Sequence, residues 1–145
     1  MLAVLFVCVV SARLQAQCPY FESIGGTDVE LLAFLHNQKG SIEVEQKEDR
    51  IEVTAFSTTV IYNLRKGKVI SIDFKRHYHC QQDAMTAYNQ SLNFLYERGV
   101  PMRQVKNIDS CRVVRGYGNG IEADLTLTPS KNAYLLDAAL VVINR

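Results

Sequence analysis

From Ile42 to Lys75, apolar and polar residues alternate with period two, and no other feature restricts the fold as tightly. Ile42 and Val44 alternate with Glu43 and Glu45. Ile51, Val53 and Ala55 alternate with Glu52 and Thr54. Val60, Tyr62 and Leu64 alternate with Thr59, Ile61 and Asn63, and Ile70, Ile72 and Phe74 with Ser71, Asp73 and Lys75. Successive side chains of a strand point to opposite faces, so this pattern predicts strands with one face on a core and the other in water. Glu48-Asp49 and Lys66-Gly67 supply tight turns. Phe56-Ser57-Thr58 is a weaker corner, which leaves residues 50–65 open to being one bent strand. The reading is an antiparallel meander.

Two helices precede strand runs. Gly25-Gly26 is a break, and Thr27-Asp28-Val29-Glu30 forms a capping box in which threonine takes an exposed amide and glutamate reaches back. Val29, Leu32 and Leu35 or His36 then fall on one helical face, and Lys39-Gly40 closes the helix. A second helix is expected from about Asp83 to Arg98, with Met85, Tyr88, Leu92 and Leu95 as its apolar stripe and Gly99 and Pro101 as its stop. Strands follow at about 102–108, 111–117, 121–128 and 133–144. Asn119-Gly120 is the strongest hairpin signal in the chain. The last strand carries Leu135, Leu136, Leu140, Val141, Val142 and Ile143, apolar in both phases, so it should be central or covered on both sides.

The order helix, meander, helix, meander predicts an α+β fold: one antiparallel β-meander sheet with two helices on its apolar face, and a tandem α-β-β-β(β) duplication as its origin. That architecture is similar to the tandem α/β-meander repeats of secreted β-lactamase-inhibitor proteins and secretion chaperones. The similarity is one of fold and implies no activity.

The 145 residues suit one domain, expected over 17–145. Residues 1–16 read as a signal peptide. The apolar run Leu2 to Val10 is too short to cross a bilayer, which takes about 20 residues, but it fits the apolar part of a leader. The small residues Ser11, Ala12 and Ala16 offer cleavage after Ala12 or Ala16, although no Lys or Arg precedes the run. Gln17 before Cys18 argues against a lipid anchor there. The expected location is secreted or periplasmic. Lys plus Arg number 16 and Asp plus Glu 15. That balance lacks the basic excess with which nucleic-acid binders neutralise phosphates. No later apolar run approaches a membrane span.

Four cysteines are present. Cys8 leaves with the leader, and Cys18, Cys80 and Cys111 remain. An exported domain favours a disulfide, and Cys80 with Cys111 is the expected pair because both stand at element boundaries. Three unpaired thiols are the alternative.

The densest cluster of metal-binding residue types is His77-Tyr78-His79-Cys80. On a strand His77 and His79 face the same way and would reach one zinc or copper ion. No third or fourth ligand is marked, and a disulfide at Cys80 would consume its thiolate. Gly116-Tyr117-Gly118-Asn119-Gly120 lacks the following helix of a phosphate loop and reads as a hairpin turn. Glu43, Glu45 and Glu52 share a wet face with Lys47 and Arg50 nearby. Arg65, Lys66, Lys68, Lys75 and Arg76 form a basic group one hairpin on, a polarity suited to steering a charged protein. Asn89-Gln90-Ser91 is a glycosylation triplet inside a helix.

No nucleophile elbow or convergent acid–base set stands out, and no cofactor is implied. The expected function is a non-enzymatic binding domain that engages a protein partner through the polar face or an edge of the sheet. The alternatives are a metal-binding or hydrolytic site on His77 and His79, and self-association through an open edge.

Overall fold

The strand-forming patterns resolve into separate strands at tight corners, four of which hold a residue with left-handed backbone: Ser57, Lys66-Gly67, Asn119-Gly120 and Asn132. The structure, a computed structural model, describes residues 20–38, 41–108 and 111–143. The expected leader, Cys18 and the expected Lys39-Gly40 helix closure lie outside the described residues. The elements are α1 (Asp28–His36), β1 (Glu43–Gln46), β2 (Arg50–Ala55), β3 (Thr58–Arg65), β4 (Lys68–Tyr78), α2 (Gln81–Glu97), β5 (Met102–Ile108), β6 (Cys111–Gly118), β7 (Ile121–Ser130) and β8 (Ala133–Val142).

At Lys66-Gly67 and Asn119-Gly120 both turn residues have positive φ, the mirror-image turn whose twist suits a two-residue hairpin. The 50–65 segment is two strands. They are hinged at Phe56-Ser57, where Ser57 takes φ 54° without being glycine. That hidden turn explains why the corner is weak in sequence.

All eight strands form one antiparallel sheet in the order β1-β2-β3-β4-β8-β7-β6-β5. Two consecutive meanders therefore meet where β4 pairs with β8, from Ser71 opposite Val141 to Tyr78 opposite Tyr134. Register carries the buried residues across the sheet in rows from β2 to β6 or β7. Val53, Val60, Phe74, Ala138, Leu125 and Val114 form one row. Ile51, Tyr62, Ile72, Leu140 and Ala123 form the next. The last strand is central, as its composition requires, but its second apolar phase stays partly open, with Val141 44% exposed.

The capping box of α1 forms as read: Glu30 N–H donates to Thr27 Oγ1 at 3.2 Å, and Thr27 N–H donates to Glu30 Oε2 at 3.1 Å. Its buried stripe is Leu31 and Leu35, whereas Val29 is 72% exposed. The segment Asp28–His36 is apolar at most positions, so local periodicity leaves the phase undecided and packing selects it. Helix α2 starts at Gln81, two residues before the expected Asp83, and buries Ala84, Tyr88, Ser91, Phe94 and Leu95. Met85 and Leu92 lie partly buried at the margin. Residues of both helices and of Phe21 and Ile24 join the strand residues in one hydrophobic cluster. Phe21 stands edge-on to Phe74 of β4 and to Phe94 of α2, with ring centroids 5.4 and 5.8 Å apart. Among the described residues no helix is long and apolar enough to cross a membrane.

Candidate interaction surface

The sheet face opposite the core carries polar side chains from all eight strands of the sheet, among them Glu45, Glu52, Asn63, Asp73, Asp137, Asp124, Arg115 and Arg103. One row on this face runs Glu45, Glu52, Ile61, Asp73, Ala139, Asp124, Arg115, Arg103 from edge to edge. It begins in acids on β1 and β2 and ends in arginines on β6 and β5. Along the central strand β8, Leu135, Ala139 and Val141 point to the same face, with Asp137 between the first two.

On the acidic flank, Glu52 Oε1 accepts from Lys47 Nζ at 3.0 Å and from Arg50 Nε at 2.6 Å. These bonds, Lys47 first, hold the Glu52 carboxyl below the ordinary carboxylate range. Lys47 also lies 3.6 Å from Glu45. The carboxylates predicted to share a face do so, since Glu45 is the cross-strand partner of Glu52.

On the basic flank, Arg103 and Arg115 are direct cross-strand partners. Like charges so placed repel. Asp124 answers Arg115 from β7 and strengthens its hold on its proton. Arg103 forms no ion pair among the described residues. The two arginines line an open depression of about 340 Å³ with Pro101, Gly116, Tyr117 and Glu122. The basic group read from sequence divides. Arg65, Lys66 and Lys68 surround the exposed β3–β4 turn. Lys75 sits 3.9 Å from Asp137, and Arg76 stacks over the Tyr78 ring at 4.9 Å.

The glycine run serves packing. Asn119-Gly120 is the turn, and Gly116 and Gly118 keep β6 clear of the chain leaving α2. A Cβ on Gly118 would collide with the Gly99 carbonyl, and one on Gly116 with the Pro101 carbonyl. Asn119 completes the junction by donating Nδ2–H to the Arg98 carbonyl at 2.7 Å.

His77 is the penultimate residue of β4, on the wet face, and His79 and Cys80 follow the strand; all three are exposed. Among the described residues, no three His, Cys, Asp or Glu side chains converge to hold a metal ion. The expected Cys80–Cys111 bridge is corrected: both are free thiols. Cys80 is the N-cap of α2, while Cys111 opens β6 with Sγ 3.3 Å from Thr128 Oγ1. Thr128 pairs with Leu135 and Leu135 with His77, so Cys111 and the end of β4 stand three strand spacings apart. At about 4.8 Å each that is roughly 14 Å, against the ~7 Å limit between bridged Cα atoms. Both cysteines do stand at element boundaries, but boundaries of strands that the sheet order keeps apart.

Two features of this face are not legible in the sequence. Arg103 and Arg115 were not singled out, because only the β5–β6 register makes them neighbours. Leu135 and Val141 are signalled by the two-phase apolarity of the last strand, which predicts a central or covered strand; that they share an open face with Ala139 is not. Fold and surface together define an α+β protein built on one eight-stranded antiparallel sheet. No protein-family model matches the chain, and comparison with curated proteins and with solved structures returns no match. The architectural similarity to inhibitor and chaperone repeats therefore gains no support.

Proposed function

We propose that this chain is an exported, non-enzymatic domain that binds a protein partner on the solvent-facing side of its sheet. One observation carries the reading: apolar residues on the central strand with carboxylates beside them on β4 and β7, and beyond these further acids toward the β1 edge and guanidinium groups toward the β5 edge. Protein interfaces concentrate affinity in an apolar centre and use a charged rim for steering and register. The partner implied is a protein with a small apolar projection for Ala139 and Val141, basic residues toward Glu43, Glu45 and Glu52, and acidic residues toward Arg103. The leader-like run Leu2 to Val10 supports export.

The same proposal covers the origin of the platform. The strand order is symmetric about the β4–β8 seam, with a helix before each meander. This supports a tandem α-β-β-β-β duplication in which both helices cover one sheet face.

A photo-crosslinking residue at Val141 of the exported protein tests the reading. A discrete protein adduct is expected there and not from the same probe at Thr86, an exposed position on α2. The His77→Ala/His79→Ala double variant should retain the adduct. Absence of an adduct at Val141, or identical adducts at both positions, rejects the wet-face reading. Its loss in the histidine variant, with the fold intact, moves the partner site to the end of β4.

A further inference from the structure

The two outermost strands are opposite in direction and opposite in charge. Among the described residues, strands β1 and β5 each have a strand neighbour on one side only. Because every ladder is antiparallel and the strands number eight, β1 and β5 run in opposite directions. A second copy displaced along the sheet therefore presents its β1 antiparallel to β5 of the first, with core faces and wet faces aligned. On the wet face β1 shows Glu43 and Glu45, and β5 shows Arg103. The core-side residues Val44 and Met102 stay in phase in the same arrangement.

Charge discriminates among the ways two edges can meet. Pairing β1 with β1 sets Glu43 and Glu45 against the same glutamates, and pairing β5 with β5 sets Arg103 against Arg103. Like charges opposite one another destabilise a strand pair, and opposite charges support it. Short, charged or bulged edges are the usual guard against indiscriminate pairing. Strand β1 has four residues, and β5 is bulged between Gln104 and Lys106. The guard here is one-sided: it opposes both same-edge contacts and leaves the opposite-edge contact complementary.

We propose that the protein associates with itself head to tail, β1 of one copy adding antiparallel to β5 of the next. Such a contact is heterologous, so it extends into a ring or a linear array and does not stop at a two-fold dimer. The ladder is short, so the association is weak and depends on salt. The edge contact shares Glu43, Glu45 and Arg103 with the rim of the partner face but not its centre on β8, so Val141→Glu leaves self-association unchanged.

Sedimentation of the purified protein at rising concentration is the test. At about 20 mM salt, where charges reach roughly 20 Å, the mean mass should climb with concentration. At about 500 mM salt, where the reach is roughly 4 Å, the association constant should fall about tenfold or more. Glu43→Lys/Glu45→Lys makes both edges basic, and Arg103→Glu makes both acidic. Each variant alone should remain monomeric, and an equimolar mixture of the two should associate again. The mixture also reports that both variants are folded. Wild-type protein that stays monomeric at low salt overturns the proposal. So does association that the variants do not alter, or a mixture that stays monomeric while both variants keep the wild-type circular dichroism spectrum.

Discussion

Tyr62 shows how one side chain links the sheet to the segment before α1. It is fully buried in the centre of a core row, and its hydroxyl donates to the Tyr20 carbonyl at 3.1 Å. Burial pushes its phenol far above the ordinary value of 10.0, with Tyr20 adding to the effect. Tyr62→Phe leaves that carbonyl without its donor and should destabilise the fold by about 1–3 kcal/mol in denaturant titration at neutral pH. The sign of the pH dependence follows from the raised pKa. Folded Tyr62 keeps its proton where the unfolded chain begins to lose it, so its contribution is complete below pH 10 and declines as pH rises above that. The phenylalanine variant should show a shallower alkaline loss. An unchanged alkaline slope would show that Tyr62 ionises readily in the native state. Tyr62 itself was legible as a core residue from alternation. Its carbonyl partner, 42 residues earlier, was not, since no local pattern points that far.

At the scale of elements, the boundaries are local chemistry. The Thr27 capping box, the paired positive-φ turns and the Gly99 stop all act over four residues or fewer, so sequence places them closely. The phase of α1 and the role of Gly116 and Gly118 are different, because each depends on what crosses from elsewhere. Gly118 lies under the α2–β5 connection, where backbone cannot move aside as a flexible side chain can. Gly118→Ala should therefore cost about 2 kcal/mol or more, at the upper end for overpacking. Gly120→Ala, which meets no heavy atom closer than 3.6 Å, tests strain from positive φ alone. The denaturation midpoint of each variant gives the comparison. If Gly118→Ala costs no more than Gly120→Ala, the close approach of the connection to β6 is relaxed in solution.

For the whole molecule, the seam between β4 and β8 makes two meanders into one unit. The buried rows run through it without a break, and Phe21 ties β4 to α2. Unfolding should accordingly be a single cooperative transition, with tyrosine fluorescence and far-ultraviolet circular dichroism superimposing. Two separated transitions would mean that each helix–meander half folds independently. The sequence by itself determined the α+β class, both helices, nearly every strand and the separation of a core face from a wet face. Those follow from side-chain alternation, helix caps and turn residues, whose physics is short-ranged. Only the tertiary structure decided that Ser71 would face Val141, that Arg103 would face Arg115, and that Cys80 and Cys111 would stand apart. Strands of like period are interchangeable locally. Their order is a long-range choice, and the order observed places Glu43 and Glu45 on one edge strand and Arg103 on the other.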